Sequence, residues 1–107
     1  LFCATIKYYR KIASGVWILK TYRLVVSGRV QGVNYRKFVH EVALALQYTG
    51  YVRNLVDKTV EVIVNAEFEE DLEFFISKLY EGSLFSDVRD IECSRIDSML
   101  FDTFKVV

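Results

Sequence analysis

The sequence of 107 residues contains no proline, only two cysteines, and no excess of either charge. Fourteen basic residues balance 14 acidic ones, so the chain as a whole has no general affinity for nucleic acid or for an anionic membrane. Any anion site must therefore be local, built from one or two side chains and backbone N–H groups. No apolar run approaches the roughly 18 residues that a membrane-spanning helix needs.

The two cysteines, Cys3 and Cys93, are isolated in the sequence and form no CxxC pair. This spacing disfavours a zinc site or a disulfide framework. We therefore expect reduced cysteines and a cytoplasmic location.

The length and composition indicate one folded domain. A hydrophobic content of 52% excludes disorder, and 107 residues can form one modest core. The first residues are apolar but are interrupted by basic side chains, and no function is assigned to them. We expect residues 1–20 to be an N-terminal extension, either not native to the domain or peripheral to it, with packing against the domain as the alternative. Residues 21–107 are predicted to form the domain.

The hydrophobic pattern predicts five strands and two helices. Strands are predicted from Tyr22 to Gly28 and in the stretches YVRNL, TVEVIVN, VRDIECSRI and FDTFKVV, where apolar residues alternate or cluster. Apolar stripes at helical spacing predict helices in NYRKFVHEVALALQ, with Asn34 as the cap, and in FEEDLEFFISKLYEG, with Phe68 as the first residue of the stripe.

The predicted order is β-α-β-β-α-β with an additional C-terminal strand. This order indicates an α+β, ferredoxin-like split βαβ fold: an antiparallel sheet with both helices on one face. The same architecture occurs in enzymes, RNA binders and regulatory domains, so the fold alone does not identify the function. An RNA-binding domain of the RRM type needs aromatic residues on its central strands and a basic face. The predicted strand TVEVIVNA contains no aromatic residue, and its single charged residue is Glu61. This type of RNA recognition is therefore disfavoured.

The stretch GRVQGVNYR lies between the first predicted strand and the first predicted helix. Gly28 and Gly32 permit a tight backbone path that could turn several N–H groups toward one point at a helix N-terminus. Arg36 falls in the first turn of that helix, where its guanidinium could hold phosphate oxygens. The stretch is neither a Walker A loop nor a dinucleotide-binding fingerprint. A plain strand-to-helix turn with a solvated arginine is the alternative.

SGRVQGVNYRKF closely resembles the signature of the acylphosphatase family, G-x-V-Q-G-V-x-(aromatic)-R. GYVRNLVDKTVEV, residues 50–62, is similar to the second family signature, and both occur in the family's order and separation. The resemblance extends over residues 21–107. It implies metal-free hydrolysis of a small-molecule acyl phosphate to a carboxylate and inorganic phosphate, with no cofactor, no nucleic-acid or membrane partner, and a monomeric protein.

The resemblance also implies roles for particular residues. Arg36 would bind the substrate phosphate and Asn54 would position the attacking water, while Gly28 would serve the geometry of the loop. The backbone N–H groups that would complete the phosphate cradle are those of Gly32, Val33, Asn34 and Tyr35. Without the resemblance, an asparagine near a strand end would be expected to serve a turn. Alternation along the strand turns Arg53 away from Asn54, so we interpret Arg53 as a solvated or structural charge.

Two questions stay open at the level of sequence. A domain that binds phosphate or acyl phosphate with little or no turnover is the alternative to the enzyme. His40 could act as a general base, although a surface role on the helix is favoured. The chain also departs from the family pattern: Lys58 stands where many members have glycine, Ser83 follows Gly82 where members commonly have Gly-Pro, and Asn34 fills a variable position.

Overall fold

The computed structural model describes residues 20–107. The predicted N-terminal extension lies outside the described residues, except that its last residue, Lys20, begins the first strand. The chain forms seven elements in this range. They are β1 (Lys20–Arg29), α1 (Tyr35–Ala45), β2 (Thr49–Asn54), β3 (Val60–Ala66), α2 (Glu69–Glu81), β4 (Asp87–Ile96) and β5 (Phe104–Val106).

The strands form one sheet in the order β4-β1-β3-β2-β5. The pairs β1–β3, β1–β4 and β2–β3 are antiparallel, as the predicted fold requires. The added strand β5 pairs with β2 in parallel, so the five-stranded sheet is mixed rather than wholly antiparallel. The ferredoxin-like fold class predicted from the element order is confirmed.

The core lies between the sheet and the two helices. Helix α1 packs on β2 and β5, and α2 packs on β4 and β3. The predicted stripes supply this core with one exception. Phe68 is the N-cap of α2 in an extended conformation and is 48% exposed, because it precedes the helix and does not lie on its inner face. The buried stripe residues are Tyr35, Val39, Ala43, Leu72, Phe75, Ile76 and Leu79.

The outer face of β3 is also buried. Glu61 is only 4% exposed, because it lies between two arginines of the neighbouring strands. Its carboxylate accepts from Arg23 Nε on β1 at 2.6 Å and from Arg53 Nε on β2 at 2.7 Å. This contact confirms that Arg53 points away from Asn54. Burial opposes ionisation of Glu61, but the two guanidinium groups outweigh it and hold the pKa of the carboxyl below its ordinary value.

One expectation about the cysteines is wrong. Cys93 on β4 is disulfide-bonded, and the part of the chain that the structure describes contains no free cysteine. The chain's other cysteine, Cys3, lies outside that part. The prediction from sequence spacing was wrong because a disulfide depends on the distance between two cysteines in space, which the absence of a CxxC motif does not reveal. No helix within residues 20–107 is long and apolar enough to span a membrane.

Replacing Glu61 should change how stability depends on pH. Since the folded-state pKa of Glu61 is lowered, its stabilisation is present above the ordinary value of 4.5 and is lost as the pH falls through the folded-state value. We expect wild type to exceed Glu61→Gln in free energy of unfolding at pH 7, and the gap to narrow below about pH 4.5. Urea unfolding of wild type and Glu61→Gln at several pH values measures the difference in free energy of unfolding at pH 7 and its change at lower pH. A gap that stays constant down to pH 3 would contradict this account of the carboxylate.

A second prediction concerns the β2–β3 turn. Lys58 adopts φ 73°, a left-handed conformation that disfavours residues with a Cβ. Lys58→Gly should therefore raise the free energy of unfolding by roughly 0.5–1 kcal/mol. Lys58→Ala is the matched control, because it removes the charge and keeps the Cβ. Equal stability of the two variants would show that backbone strain at this position is negligible.

Candidate active site

The loop between β1 and α1 has the backbone of an anion-binding turn. Gly32 (φ 74°) and Asn34 (φ 60°) both adopt left-handed conformations on either side of Val33, whose φ is not positive. Such alternation turns successive N–H groups toward one side of the chain. Within residues 20–107, the N–H groups of Gly32, Val33, Asn34 and Tyr35 donate to no other protein group. The loop therefore offers a run of unpaired donors at the N-terminus of α1.

Asn34 occupies the predicted N-cap position but does not cap the helix through its side chain. Its left-handed backbone, rather than a side-chain hydrogen bond, makes the sharp entry into α1. Asparagine tolerates this conformation better than most residues with a Cβ. The helix thus begins with its first N–H groups unsatisfied, and a ligand could take them.

Arg36 lies in the first turn of α1 and is partly exposed. Its Nη1 donates to the backbone oxygen of Val107 at 2.9 Å. Since β5 runs beside β2 at this edge of the sheet, the backbone directly after β5 holds the guanidinium near the loop. The other guanidinium nitrogens have no protein partner among the described residues and can contact a ligand.

Asn54 is the last residue of β2 and is exposed. Its side chain forms no hydrogen bond with any residue that the structure describes. The turn that follows is held by other groups: Leu55 N–H donates to the Thr59 carbonyl, and Thr59 donates to the Asp57 carboxylate. The Asn54 side chain therefore contributes no hydrogen bond to this turn, and the turn does not explain why an asparagine stands at this position.

These groups meet at one cleft of about 400 Å³. Arg36 and Asn54, which are 18 positions apart in the sequence, both line it, together with Gly32, Asn34 and Tyr35 of the loop. Of the described residues that form its walls, two are basic, Arg36 and Lys37, and none is acidic, so the cleft favours an anion. The full lining is Val30, Gln31, Gly32, Asn34, Tyr35, Arg36, Lys37, His40, Asn54 and Val106.

Two of the predicted residues lie apart from the cleft. Gly28 belongs to β1, which continues to Arg29, and it marks a bulge in the pairing with β4. A Cβ at Gly28 would lie 2.2 Å from the Asp87 carbonyl oxygen, so glycine is needed for the approach of the two strands. The side chain of Val33 points into the core. Only the backbone of Val33 could therefore contact a ligand in the cleft.

Tyr35 anchors the loop to the second helix. Its ring is buried, and its hydroxyl donates to the Leu79 carbonyl at 2.8 Å. Burial raises the pKa of Tyr35 well above its ordinary value, so the hydroxyl stays protonated and remains a donor. The side chain therefore holds the loop in place and leaves its backbone N–H at the cleft.

Sequence reasoning missed Gln31. Its Nε2 donates to the Leu55 carbonyl at 3.0 Å and to the Thr59 carbonyl at 2.9 Å. The side chain thus ties the loop to the backbone immediately after Asn54. Its place in the quoted family signature was the only signal in the sequence, because the two carbonyls lie 24 and 28 positions further along the chain.

His40 lines the cleft one turn beyond Arg36, but its ring is engaged elsewhere. Its Nε2 lies 3.1 Å from the Phe104 carbonyl oxygen, which is a contact that requires a proton on Nε2. This arrangement favours a structural role between α1 and β5 over general-base catalysis through Nε2. Within residues 20–107, no group of three or more His, Cys, Asp or Glu side chains could hold a metal ion.

Comparison with known proteins identifies the family. The acylphosphatase sequence profile matches residues 22–106, which is most of the chain. The chain belongs to the acylphosphatase family. The resemblance of the two signatures is thereby confirmed, and the chain is assigned to the hydrolases of carboxylic–phosphoric anhydrides.

Individual acylphosphatases match over nearly their whole length. The acylphosphatase of Solibacter usitatus is 42% identical over 84 residues, which cover 78% of this chain and 86% of that protein. The crystal structure of the Bacillus subtilis acylphosphatase superposes with a TM-score of 0.76 at 36% identity, over 82% of this chain and 98% of that one. The crystal structure of T. kodakarensis HypF superposes with a TM-score of 0.69 at 39% identity, over 81% of this chain but 11% of that one.

Replacing Gln31 tests the link between the loop and Asn54. Gln31→Met removes both hydrogen bonds at similar size, so the backbone after Asn54 is held less firmly. We expect kcat for acyl phosphate hydrolysis to fall about 10- to 100-fold, because a small misplacement of a positioning group has effects of that order. Inhibition by inorganic phosphate, which depends on the loop and Arg36, should change less than threefold. Unchanged kcat in the folded variant would mean that these bonds do not position Asn54.

Proposed function

We propose that this chain hydrolyses acyl phosphates by attack of one water molecule on a phosphate held by Arg36 and the backbone of residues 32–35. The observation that carries the proposal is the cleft itself. It combines a run of unpaired N–H donors, a guanidinium and an unoccupied amide side chain, and none of the lining residues between positions 20 and 107 carries a carboxylate. These are the groups that such a reaction requires.

The substrate phosphate would lie against the loop. Acyl phosphate carries its charge on the nonbridging phosphate oxygens, which would accept from the N–H groups of Gly32, Val33, Asn34 and Tyr35. The partial positive charge at the start of α1 favours the same anion. Arg36 would donate to two of these oxygens at once, as a planar guanidinium does with phosphate. Both contacts would hold the phosphate in the ground state and in the transition state, in which charge is spread over its nonbridging oxygens.

Asn54 would orient the attacking water. Its amide is free of other partners and faces the same cleft as Arg36. The amide oxygen can accept from the water while the amide nitrogen donates to a phosphate oxygen. A neutral amide cannot serve as a strong base, so the water proton would pass to the phosphate. The new P–O bond forms to the water oxygen, and the P–O bond to the acyl oxygen breaks.

The leaving group explains why so few residues suffice. A carboxylate leaves as a stable anion and needs no general acid. The products are a carboxylate and dihydrogen phosphate, which balance the atoms and charge of the acyl phosphate dianion and one water. Phosphoryl transfer depends mainly on positioning and on stabilisation of charge. Arg36, the loop N–H groups and Asn54 would supply both, so we expect turnover in the presence of a chelator.

The second candidate function is binding of phosphate or acyl phosphate with little turnover. The chain also matches a segment that makes up 11% of HypF, so the same fold occurs as a small part of a much longer chain. This similarity is the reason to retain the binding function as a candidate. The two functions share the loop and Arg36 and differ only in whether the water attacks. A measurement of turnover beside one of phosphate affinity separates them.

Substitution of Arg36 and Asn54 should separate binding from chemistry. With benzoyl phosphate and a chelator, Arg36→Ala should lose about 10³- to 10⁵-fold in kcat/KM and should also bind inorganic phosphate more weakly. Asn54→Ala should lose about 10²- to 10³-fold in kcat, with phosphate inhibition nearly unchanged, because it orients water rather than phosphate.

Arg89→Ala is the matched control for the loss of a positive charge, since Arg89 is exposed on β4 and does not line the cleft. Circular dichroism and thermal unfolding check that each variant folds. Wild type that binds phosphate but does not exceed the uncatalysed rate would favour the binding domain. Full activity of folded Asn54→Ala would contradict the assigned role of the amide.

A further inference from the structure

Ser83 forms a side-chain hydrogen bond to the loop between β1 and α1. It follows Gly82 at the end of α2, and its hydroxyl donates to the Val33 carbonyl oxygen at 2.8 Å. Ser83 does not itself line the cleft that contains Arg36 and Asn54. Any effect of Ser83 on the reaction must therefore pass through the loop backbone.

The hydroxyl of Ser83 is held in place by its own turn. The backbone N–H of Ser83 donates to Ser86 Oγ at 2.7 Å, and Ser86 Oγ donates to the Ser83 carbonyl at 2.9 Å. These two bonds close a short turn between α2 and β4. The donor that reaches Val33 is therefore presented by an ordered segment rather than by a loose chain.

The hydrogen bond determines which way one peptide group faces. The peptide between Val33 and Asn34 is trans, so its C=O and N–H point in opposite directions. Because the Val33 carbonyl is directed at Ser83, the Asn34 N–H is directed away from Ser83 and is left for the cleft. Among residues 20–107, Val33 O has no other hydrogen-bond donor.

This peptide needs such support. Asn34 has φ 60°, a conformation that asparagine tolerates but does not require, and its side chain makes no capping hydrogen bond that would hold it there. A rotation of the peptide plane would turn the Asn34 N–H out of the cleft. The bond from Ser83 opposes that rotation.

We propose that Ser83 is a positioning residue for the substrate phosphate, acting by aiming the Asn34 N–H at it. The inference rests on the proposed function of the loop and adds a residue outside both family signatures.

The test compares Ser83→Ala with Ser83→Thr, which keeps the hydroxyl. Ser83→Ala should raise the inhibition constant of inorganic phosphate and the KM for benzoyl phosphate about three- to tenfold, as expected for loss of one net hydrogen bond. Its kcat should stay within about twofold, because the affected contact is present in both the ground state and the transition state. Ser83→Thr should resemble wild type.

Ser77→Ala is the matched control. Ser77 is exposed on α2 and its hydroxyl donates only to the Phe74 carbonyl within that helix. Thermal unfolding of all variants separates a loss of stability from a loss of phosphate affinity. An unchanged inhibition constant in Ser83→Ala, or one equally raised in Ser83→Thr, would overturn the proposal.

A second measurement does not depend on turnover. In wild type and Ser83→Thr, titration with inorganic phosphate should shift the backbone amide resonance of Asn34, and the shift should be reduced in Ser83→Ala. A wild-type amide that does not respond to phosphate would overturn the inference about Ser83. A responding amide without hydrolysis of benzoyl phosphate would instead contradict only the proposed catalytic turnover.

Discussion

The loop between β1 and α1 has to leave its N–H groups unpaired on one side, and this constraint shapes its surroundings. Water can hydrate N–H groups that face an open cleft, but no internal hydrogen bond keeps them aligned, so the backbone has to be held from elsewhere. Three contacts on the other sides of the loop supply that support. Gln31 donates to the β2–β3 turn, Ser83 donates to the Val33 carbonyl, and the Tyr35 hydroxyl donates to the Leu79 carbonyl. One contact ties the loop to the β2–β3 turn, and the other two tie it to the C-terminal end of α2.

The remaining groups of the site depend on how the sheet is ordered. Arg36 comes from the helix after β1, whereas Asn54 comes from the end of β2, and β3 lies between those two strands. The parallel addition of β5 at the edge beside β2 brings Val107 to the guanidinium of Arg36. The last strand therefore contributes to the site as well as to the sheet.

Charge is separated between the two faces of the sheet. On the cleft side, the described lining residues are neutral or basic, which suits a doubly charged substrate. On the other face, Glu61 is neutralised by Arg23 and Arg53. Because residues alternate along β2, Arg53 and Asn54 lie on opposite faces of the sheet. The Arg53 guanidinium therefore does not contact the Asn54 amide, which stays available to a substrate. One strand thus carries both an arginine of the ion pair and the amide for which we propose a catalytic role.

The sequence by itself determined the element order, the core stripes and the two signatures, because periodicity and short motifs are local properties. Arg36 and Asn54 could be selected on that basis. The parallel pairing of β5, the exposure of Phe68 and the disulfide state of Cys93 could not. Neither could the contacts of Gln31, Ser83 and Val107, since each joins residues 24 or more positions apart. Only the tertiary structure decided these, because a hydrogen bond depends on distance and direction in space, which sequence spacing does not encode.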